Sequence, residues 1–173
     1  ADGNNNLAIV YKHIGDYPKS LDAHLKALEI YDALGDRSGR ATSLLNIGVA
    51  YDLMKEPQKA LEYFEQALKI KEEVNDEPGK ALALHNIALM YETQKQYEKA
   101  LTYLFEHLEI LEKTDNQMSI ANALNSVGKV YISLGDYEKA LVYLNQSREK
   151  ALALGQKQPL IHALHNLAKI HIQ

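Results

Sequence analysis

The chain repeats itself about every forty residues, and this repetition constrains its fold more than any other feature. The first half of the block recurs at 41–51, 81–91, 121–131 and, more weakly, 161–171. The second half recurs at 17–21, 57–61, 97–101 and 137–141. A fixed period of this length indicates a stacked array, in which each unit buries its apolar face only against its neighbours. Such an array indicates a binding function without naming the partner.

Within a block, apolar residues recur at the spacing of two successive α-helices. Leu44, Ile47 and Tyr51 share one face of the first helix, and Ala60 and Phe64 share one face of the second. Short breaks separate the two helices at 15–16, 55–56, 95–96 and 135–136. Each block is therefore predicted to contain helix A, a tight turn and helix B, which together give an all-α fold.

Small side chains and capping residues agree with this arrangement. Gly48 and Gly128 lie at the same place in helix A of their blocks, and small residues there let helix B approach closely. Asp36, Asp76 and Asn116 are predicted N-caps of the following helices A, because their side chains can accept hydrogen bonds from free backbone N–H groups.

Composition excludes several classes of protein. The 173 residues are 46% hydrophobic, enough for a continuous core once the units stack. A formal net charge of −4 does not indicate a nucleic-acid surface or a basic membrane anchor. The chain has no cysteine, which fits a reducing compartment and predicts a cytoplasmic location. It has no apolar run long enough to cross a bilayer, about 18 residues.

These repeats resemble the tetratricopeptide repeat (TPR) family, in a forty-residue variant with an extended helix B. The resemblance rests on Leu44, Ile47, Gly48 and Tyr51 of helix A, with their counterparts in the next two blocks, and on Ala60, Phe64 and Ala67 of helix B. Locally, the run 34–39 is similar to the repeats of Pins/LGN-type adaptors and of bacterial sensor arrays.

The resemblance implies a right-handed superhelical solenoid of four helix-turn-helix hairpins plus one terminal helix. Residues 1–173 are expected to form a single array, with repeats at about 1–40, 41–80, 81–120 and 121–160 and a final helix at about 161–173. We expect the chain to be a fragment of a longer protein. His24 departs from the family pattern, because it stands where helix B usually carries an aromatic residue.

In the family, the A helices line a concave groove, and the sixth position of each block faces it. That position holds Asn6, Asn46, Asn86, Ser126 and Asn166. Asparagine is a mediocre helix former, and its amide both donates and accepts hydrogen bonds. The resemblance implies that these amides bind the backbone of an extended peptide. Alternatively, each asparagine bonds a neighbouring helix and sets the stacking of the repeats, and both interpretations stay open here.

Specificity is expected from the variable groove positions. The principal ones are Val49, His85, Leu89, Asn125, Lys129, His165 and Lys169, with Thr42, Leu45, Asp52, Glu92, Asn122 and His162 beside them. Residues 1–120 carry 13 basic and 20 acidic side chains, whereas residues 121–173 carry 6 and 3. An acidic stretch of a ligand is therefore expected against Lys129, His165 and Lys169. The alternative is that these lysines are ordinary solvated residues.

No pattern for catalysis, a cofactor or a metal is present in the sequence. His162 and His165 share a helix face, but a metal site needs at least three converging ligands. Glycine-rich phosphate loops and a nucleophilic serine turn are absent. The terminal-carboxylate clamp of cochaperone repeats is rejected, since no arginine of helix A faces the groove. Lys69 and Lys71 are assigned, with the glutamates of the same helix, to a solvated face.

We therefore predict a non-enzymatic scaffold that binds an extended peptide or partner helix in the groove of the A helices. Protein or peptide partners are expected, and nucleic acid and membranes are not. One alternative is a sensor or regulatory array that controls an attached effector domain. Another is a structural repeat that self-associates through the terminal helix, whose apolar residues Ile161, Leu164, Leu167 and Ile170 have no following helix in this sequence.

Overall fold

The computed structural model of the chain describes residues 2–171, without the side chains of Asp2, Met118 and His171. These residues form nine α-helices and no strand, as the all-α prediction requires. The helices are α1 (Asp2–His13), α2 (Tyr17–Leu34), α3 (Arg37–Leu53), α4 (Pro57–Glu73), α5 (Glu77–Thr93), α6 (Tyr97–Lys113), α7 (Gln117–Leu134), α8 (Tyr137–Ala153) and α9 (Lys157–His171). The odd-numbered helices are the predicted A helices, and the even-numbered ones are the B helices.

The helices form two compact units. Unit 1 (Ala1–Gln94) contains α1 to α5, and unit 2 (Lys95–Gln173) contains α6 to α9. Inside each unit, every helix packs against the next one along the chain. The A helices also approach each other, since α3 contacts α5 in unit 1 and α7 contacts α9 in unit 2. Each unit is therefore a stack of helices that are joined by short turns. Within each stack, two A helices lie side by side.

The A helices begin a few residues before the forty-residue blocks do. Helix α9 starts at Lys157 rather than at about 161, and residues 172 and 173 of the predicted terminal helix lie outside the described residues. The starts are fixed by the predicted N-caps, which are confirmed. Asp36 and Asp76 accept hydrogen bonds of 2.9 Å from the N–H groups of Gly39 and Gly79. Asn116 accepts one of 3.2 Å in the same way.

The turns between helices share one backbone conformation. Gly35 and Gly135 take positive φ angles of 67° and 77° at the ends of α2 and α7. Lys55 and Asn75 take 63° and 54° at their own turns, although side chains disfavour this left-handed region. The repeats therefore keep the same turn even where the residue at this position is not glycine, although only glycine adopts this conformation without steric cost.

Close packing of helices A and B depends on the small residues predicted for it. A Cβ atom at Gly48 would lie 2.5 Å from Cε1 of Phe64, so the aromatic ring of α4 sits directly on the backbone of α3. A Cβ at Gly128 would lie 2.6 Å from Cγ of Leu144. Leu44, together with both of these large side chains, is fully buried. The glycines therefore set the distance between the two helices.

A buried lysine joins α4 to α5, which corrects its assignment to a solvated face. Lys71 is buried, and its Nζ atom donates a 2.7 Å hydrogen bond to Oδ2 of Asp76. Its stem packs over Gly79, where a Cβ would lie 2.6 Å from the lysine Cδ. The missing side chain at Gly79 makes room for the lysine, and Asp76 neutralises its charge.

Unit 2 has its own apolar core between α6, α7 and α8. Leu108 and Leu111 of α6 meet Ile120, Ala123 and Leu124 of α7, with Tyr143 of α8 partly buried against them. The Ser147 hydroxyl donates a 2.6 Å hydrogen bond to the carbonyl oxygen of Ala121. Helix α8 is thereby held to α7 by both apolar and polar contacts.

Candidate functional site

In unit 1, five of the predicted groove residues lie on two neighbouring helices. Asn46 and Val49 are on α3, and His85, Asn86 and Leu89 are on α5, which contacts α3. All five are half-buried, so each keeps part of its side chain accessible. We call these five residues the unit-1 A-helix surface. It combines two amides, two aliphatic side chains and one imidazole.

The two asparagines of this surface differ from Asn5 and Asn166 in their hydrogen bonding. In the part of the chain that the structure describes, neither the Asn46 amide nor the Asn86 amide forms a side-chain hydrogen bond. Each amide can donate two hydrogen bonds and accept two. Since α3 and α5 are adjacent, the two groups form a short row at the same position of successive repeats. This arrangement fits a ladder of amides, one per repeat, that would bind the backbone of an extended peptide; we call this the ladder interpretation.

The first A helix, α1, differs, because the side chain of its Asn5 is hydrogen-bonded to α2. Asn6 of α1 is exposed. The neighbouring Asn5 accepts a 3.0 Å hydrogen bond from Nδ1 of His24, and its own Nδ2 lies 3.4 Å from the hydroxyl of Tyr31. Burial lowers the pKa of His24 to about 4, and the charge of Lys12 acts in the same direction. Asn5 therefore joins α1 to α2 and serves the packing of the unit.

In unit 2, the asparagine at the sixth position of the block joins two helices by a hydrogen bond. Asn166 of α9 is buried, and its Nδ2 atom donates a 3.0 Å hydrogen bond to Oδ1 of Asn125 on α7. The Ser126 hydroxyl donates to the carbonyl oxygen of Asn122 in its own helix, at 3.2 Å. At this repeat, the geometry favours the stacking alternative for Asn166.

Three other predicted groove residues of unit 2 are basic. Lys129 of α7 and His165 and Lys169 of α9 are exposed. Neither α7 nor α9 contains an aspartate or a glutamate. We call Asn125, Ser126, Lys129, His165 and Lys169 the unit-2 A-helix surface, and we leave out Asn166 because it is buried. The charge of this surface agrees with the sequence-based expectation of a basic C-terminal segment, and it provides cationic groups without a competing carboxylate on the same helices.

Leu45 and His85 are two residues that the sequence placed at or beside the groove. Leu45, expected beside the groove, is buried in the core, so it offers almost no surface to a ligand. His85 is half-buried, and burial lowers the pKa of its imidazole while the Glu92 carboxylate acts in the opposite direction. The imidazole is therefore more easily kept neutral than an ordinary histidine, and it adds a weakly polar group to the unit-1 A-helix surface.

Leu82 was expected at a groove position and is exposed, whereas the sequence did not predict that Asn5 is hydrogen-bonded to the next helix. Leu82 lies on α5, one turn before Asn86, and extends the apolar part of the unit-1 A-helix surface. Its place in the block was the signal, because it falls at the second position, which the family uses for the groove. For Asn5 the signal was His24, a polar residue at a core position, which requires a hydrogen-bonding neighbour.

A depression outside the predicted groove lies between α3 and α4. Arg37, Arg40, Lys69 and Glu73 line part of its volume of about 240 Å³. Its arginines already have acidic partners, Arg37 with Glu73 and Arg40 with Asp32 at 3.1 Å. Among the side chains that the structure describes, no three His, Cys, Asp or Glu residues come together in a way that could hold a metal ion.

The chain belongs to the tetratricopeptide repeat family. The model of this family matches residues 1–73 and 79–153, most of the sequence. Its all-α fold is that of TPR solenoids. No functionally curated protein matches the chain. None of the helices described here is long and apolar enough to cross a membrane.

Several solved structures share this fold. Aspartyl phosphate phosphatase F from Bacillus subtilis is 19% identical, with a TM-score of 0.87 over 94% of this chain and 43% of its own. BtubC from P. vanneervenii is 27% identical, with a TM-score of 0.87 over 95% of this chain and 69% of its own. A Rap protein complexed with Competence and Sporulation Factor is 20% identical, with a TM-score of 0.83 over 96% of this chain and 50% of its own. This chain therefore spans less than half of the phosphatase that it resembles.

Proposed function

We propose that this chain is a protein-interaction scaffold that binds an extended peptide or partner helix on its A-helix surfaces. One observation carries the proposal: Asn46 and Asn86 are half-buried on adjacent helices, and their amides form no side-chain hydrogen bond within residues 2–171. A ligand backbone has regularly spaced N–H and C=O groups that match such amides. Catalysis has no part in the proposed role.

The surroundings of these amides suit a polypeptide. Val49, Leu82 and Leu89 offer apolar area for the ligand's side chains, and the amides fix its backbone between them. The helices that carry these groups are held by buried cores, so the receptor loses little conformational freedom on binding. Affinity then depends mainly on how much order the peptide must gain.

The finer proposal concerns the chemistry of the ligand. An acidic stretch of the partner would lie on the unit-2 A-helix surface, against Lys129, His165 and Lys169. Support comes from the absence of any carboxylate residue on α7 and α9, since nothing on those helices would repel an acidic ligand.

We further propose a cytoplasmic location, for which the absence of cysteine in the sequence is the support.

A sensor or regulatory array is the second candidate function. It is favoured by the Rap protein of similar fold, whose structure holds Competence and Sporulation Factor. In this alternative the same surfaces bind a signal, and the response is delivered by a domain attached to the array. The two candidate functions share the binding step and differ in the response that binding produces.

Selection from a peptide-display library against residues 1–173, followed by titration calorimetry, tests the proposal. Replacing Asn46 and Asn86 with alanine should weaken a selected peptide by about 2 kcal/mol, roughly thirtyfold in Kd, if each amide contributes about one net hydrogen bond. The melting temperature should barely change, because these amides hold no other helix.

Asn166→Ala is the matched control, because the Asn166 amide is already bonded to Asn125. It should lower the stability of the protein and leave a peptide bound at α3 and α5 in place. The ladder role is wrong if the Asn46/Asn86 double variant loses stability as Asn166→Ala does while keeping full affinity. A charge reversal, Lys169→Glu, tests the finer proposal, which fails if selected acidic peptides bind with unchanged affinity.

A further inference from the structure

The depression between α3 and α4 lies inside unit 1, with α2 packed on α3 and α5 packed on α4. Its volume is about 240 Å³. Six residues of the two helices line it: Arg37, Arg40, Gln66, Lys69, Ile70 and Glu73. We call these six residues the α3–α4 depression. Both of its walls belong to helices that have a neighbour on each side along the chain.

Positive charge dominates the α3–α4 depression, although the whole chain has a formal net charge of −4. Two arginines and Lys69 stand against one carboxylate, that of Glu73. Lys69 is exposed and pairs with no carboxylate among the described residues. The exposed amide of Gln66 forms no side-chain hydrogen bond there either. The depression therefore presents an ammonium group and an amide that the protein itself does not use.

Both arginines also keep donors for a ligand. Arg37 donates to Glu73 from Nη2, and Nε of Arg40 lies 3.1 Å from Oδ1 of Asp32. A guanidinium group has five N–H donors, and a single carboxylate bonds at most two of them. The two side chains are 58% and 46% exposed, so their remaining N–H groups are accessible.

A smaller depression of about 150 Å³ adjoins the first, since Arg37 and Arg40 line both. It also contains Asp32 and Asp36. Asp32 is paired with Arg40, and Asp36 accepts a 2.9 Å hydrogen bond from the N–H group of Gly39. These two aspartates do not line the α3–α4 depression, where Glu73 remains the one carboxylate.

The later repeats do not carry this charge at the same six positions. In α5 and α6 the positions hold Glu77, Lys80, Glu106, Glu109, Ile110 and Lys113. In α7 and α8 they hold Gln117, Ile120, Gln146, Glu149, Lys150 and Ala153. Three positive and one negative side chains give +2 at α3 and α4, whereas two and three give −1 and one and one give 0 in the later pairs. Stacking of the repeats therefore does not require the cations of the α3–α4 depression.

We infer that the α3–α4 depression is a binding site for a phosphate monoester. A phosphate monoester carries a charge of about −1.5 to −2 at pH 7, which complements the charge of +2, and its oxygens can accept hydrogen bonds from both guanidinium groups. The depression is smaller than the about 300–1,000 Å³ of pockets that enclose whole small molecules. It therefore suits one phosphate group, whose attached chain stays in the solvent. A phosphorylated side chain of a partner and a free phosphate compound present the same chemistry.

This site is separate from the surface of the proposed function. Nine residues, or two and a half helical turns, separate Arg37 from Asn46, so their side chains leave opposite sides of α3. The inference is therefore independent of the amide ladder. The Asn46/Asn86 double alanine variant should bind phosphate probes as the wild type does.

The test titrates the chain 1–173 with inorganic phosphate and, separately, with the blocked tripeptide alanine–phosphoserine–alanine. Low ionic strength is used, because salt screens exposed charges. Nuclear magnetic resonance follows the Nε–H signals of Arg37 and Arg40, which should shift with one saturable curve. The tripeptide with unmodified serine should leave them in place. Saturation by the phosphoserine peptide alone assigns the site to a phosphorylated partner, and equal affinity for inorganic phosphate assigns it to a free phosphate compound.

Three variants examine the source of the affinity. Lys69→Glu should weaken binding about fivefold or more, because it reverses the unpaired charge. Arg40→Lys should weaken it several-fold, because it keeps the charge and removes the planar fork. Glu73→Gln should strengthen binding several-fold, because it removes the carboxylate that competes for Arg37.

Lys55→Glu is the matched control, because Lys55 is exposed in the same unit, lies outside the depression and has no ion pair among the described residues. It changes the net charge as Lys69→Glu does and should leave the Kd unchanged, and circular dichroism checks that every variant is folded. The inference is overturned if the signals shift without saturation, or if Lys55→Glu weakens binding as much as Lys69→Glu. Weaker binding by Glu73→Gln would also overturn it.

Discussion

Acid should weaken unit 1 in part through the buried His24. His24 is 3% exposed in α2 and donates its Nδ1 proton to Oδ1 of Asn5, so its Nε2 atom carries no proton in the neutral form. Protonation would place a second N–H and a positive charge in the core. Burial, with a smaller contribution from Lys12, therefore lowers the pKa of His24 from 6.5 to about 4.

The sign of the effect follows from proton binding. Between pH 6.5 and 4 the unfolded chain binds a proton at this position and the folded chain does not, so stability falls as the pH falls through that window. The shift corresponds to about 3 kcal/mol when both states are considered below pH 4, and to about 2 kcal/mol at pH 5. Above pH 7 the contribution is constant.

The substitution His24→Leu places in α2 the residue type that α6 and α8 carry at the same position, Leu104 and Leu144. Urea denaturation from pH 7.5 to 4.5 should show the difference in unfolding free energy between wild type and His24→Leu growing by about 2.5 kcal/mol toward acid. Nuclear magnetic resonance of the His24 ring should give its titration midpoint directly.

Asn5→Ala separates the causes of this pH dependence. Because burial is the largest cause of the lowered pKa, the dependence should persist when the hydrogen-bond acceptor is removed. Parallel stability curves for wild type and His24→Leu would refute the reasoning, as would a ring that titrates near 6.5.

Three further substitutions test the packing, each by equilibrium urea denaturation. Asp76→Asn should cost about 2 kcal/mol, because it leaves the charge of buried Lys71 without its partner; Lys71→Leu in the same background should restore most of the loss, and no loss from Asp76→Asn would contradict this. Ser43→Ala should raise stability by about 1 kcal/mol, because the buried hydroxyl has no hydrogen-bond partner among the described residues; a destabilised variant would show a missed partner. Gly128→Ala should cost about 2 kcal/mol, because its Cβ would lie 2.6 Å from Cγ of Leu144; an unchanged stability would mean that α8 moves away freely.

The fold could be predicted from the sequence because its determinants are local and repeated. The period fixes the size of the unit, apolar spacing fixes the helix type, and capping residues such as Asp36 and Asp76 fix where helices begin. Gly48 and Gly128 also predict where two helices come closest. Each of these signals acts over a few residues of sequence, so a single sequence is enough to recognise them.

Individual side chains were harder to predict, because their roles depend on how residues of neighbouring helices meet. Lys71 looks like a surface residue until Gly79 and Asp76 are placed around it. Asn166 shares its register with Asn46, yet it bonds Asn125 forty-one positions away. Equivalent positions in a repeat therefore share a location, and the residues on adjacent helices decide what each one does.

The most direct measurement of the central claim follows the side-chain amides of Asn46 and Asn86 by nuclear magnetic resonance while a display-selected peptide is added. If these amides bind the ligand backbone, both pairs of Nδ2 proton signals should shift with a single binding curve and become protected from exchange with water. Resonances of Asn5, which is held by His24, should stay in place. Saturation of the protein with peptide while both asparagine signals remain unchanged would contradict the account.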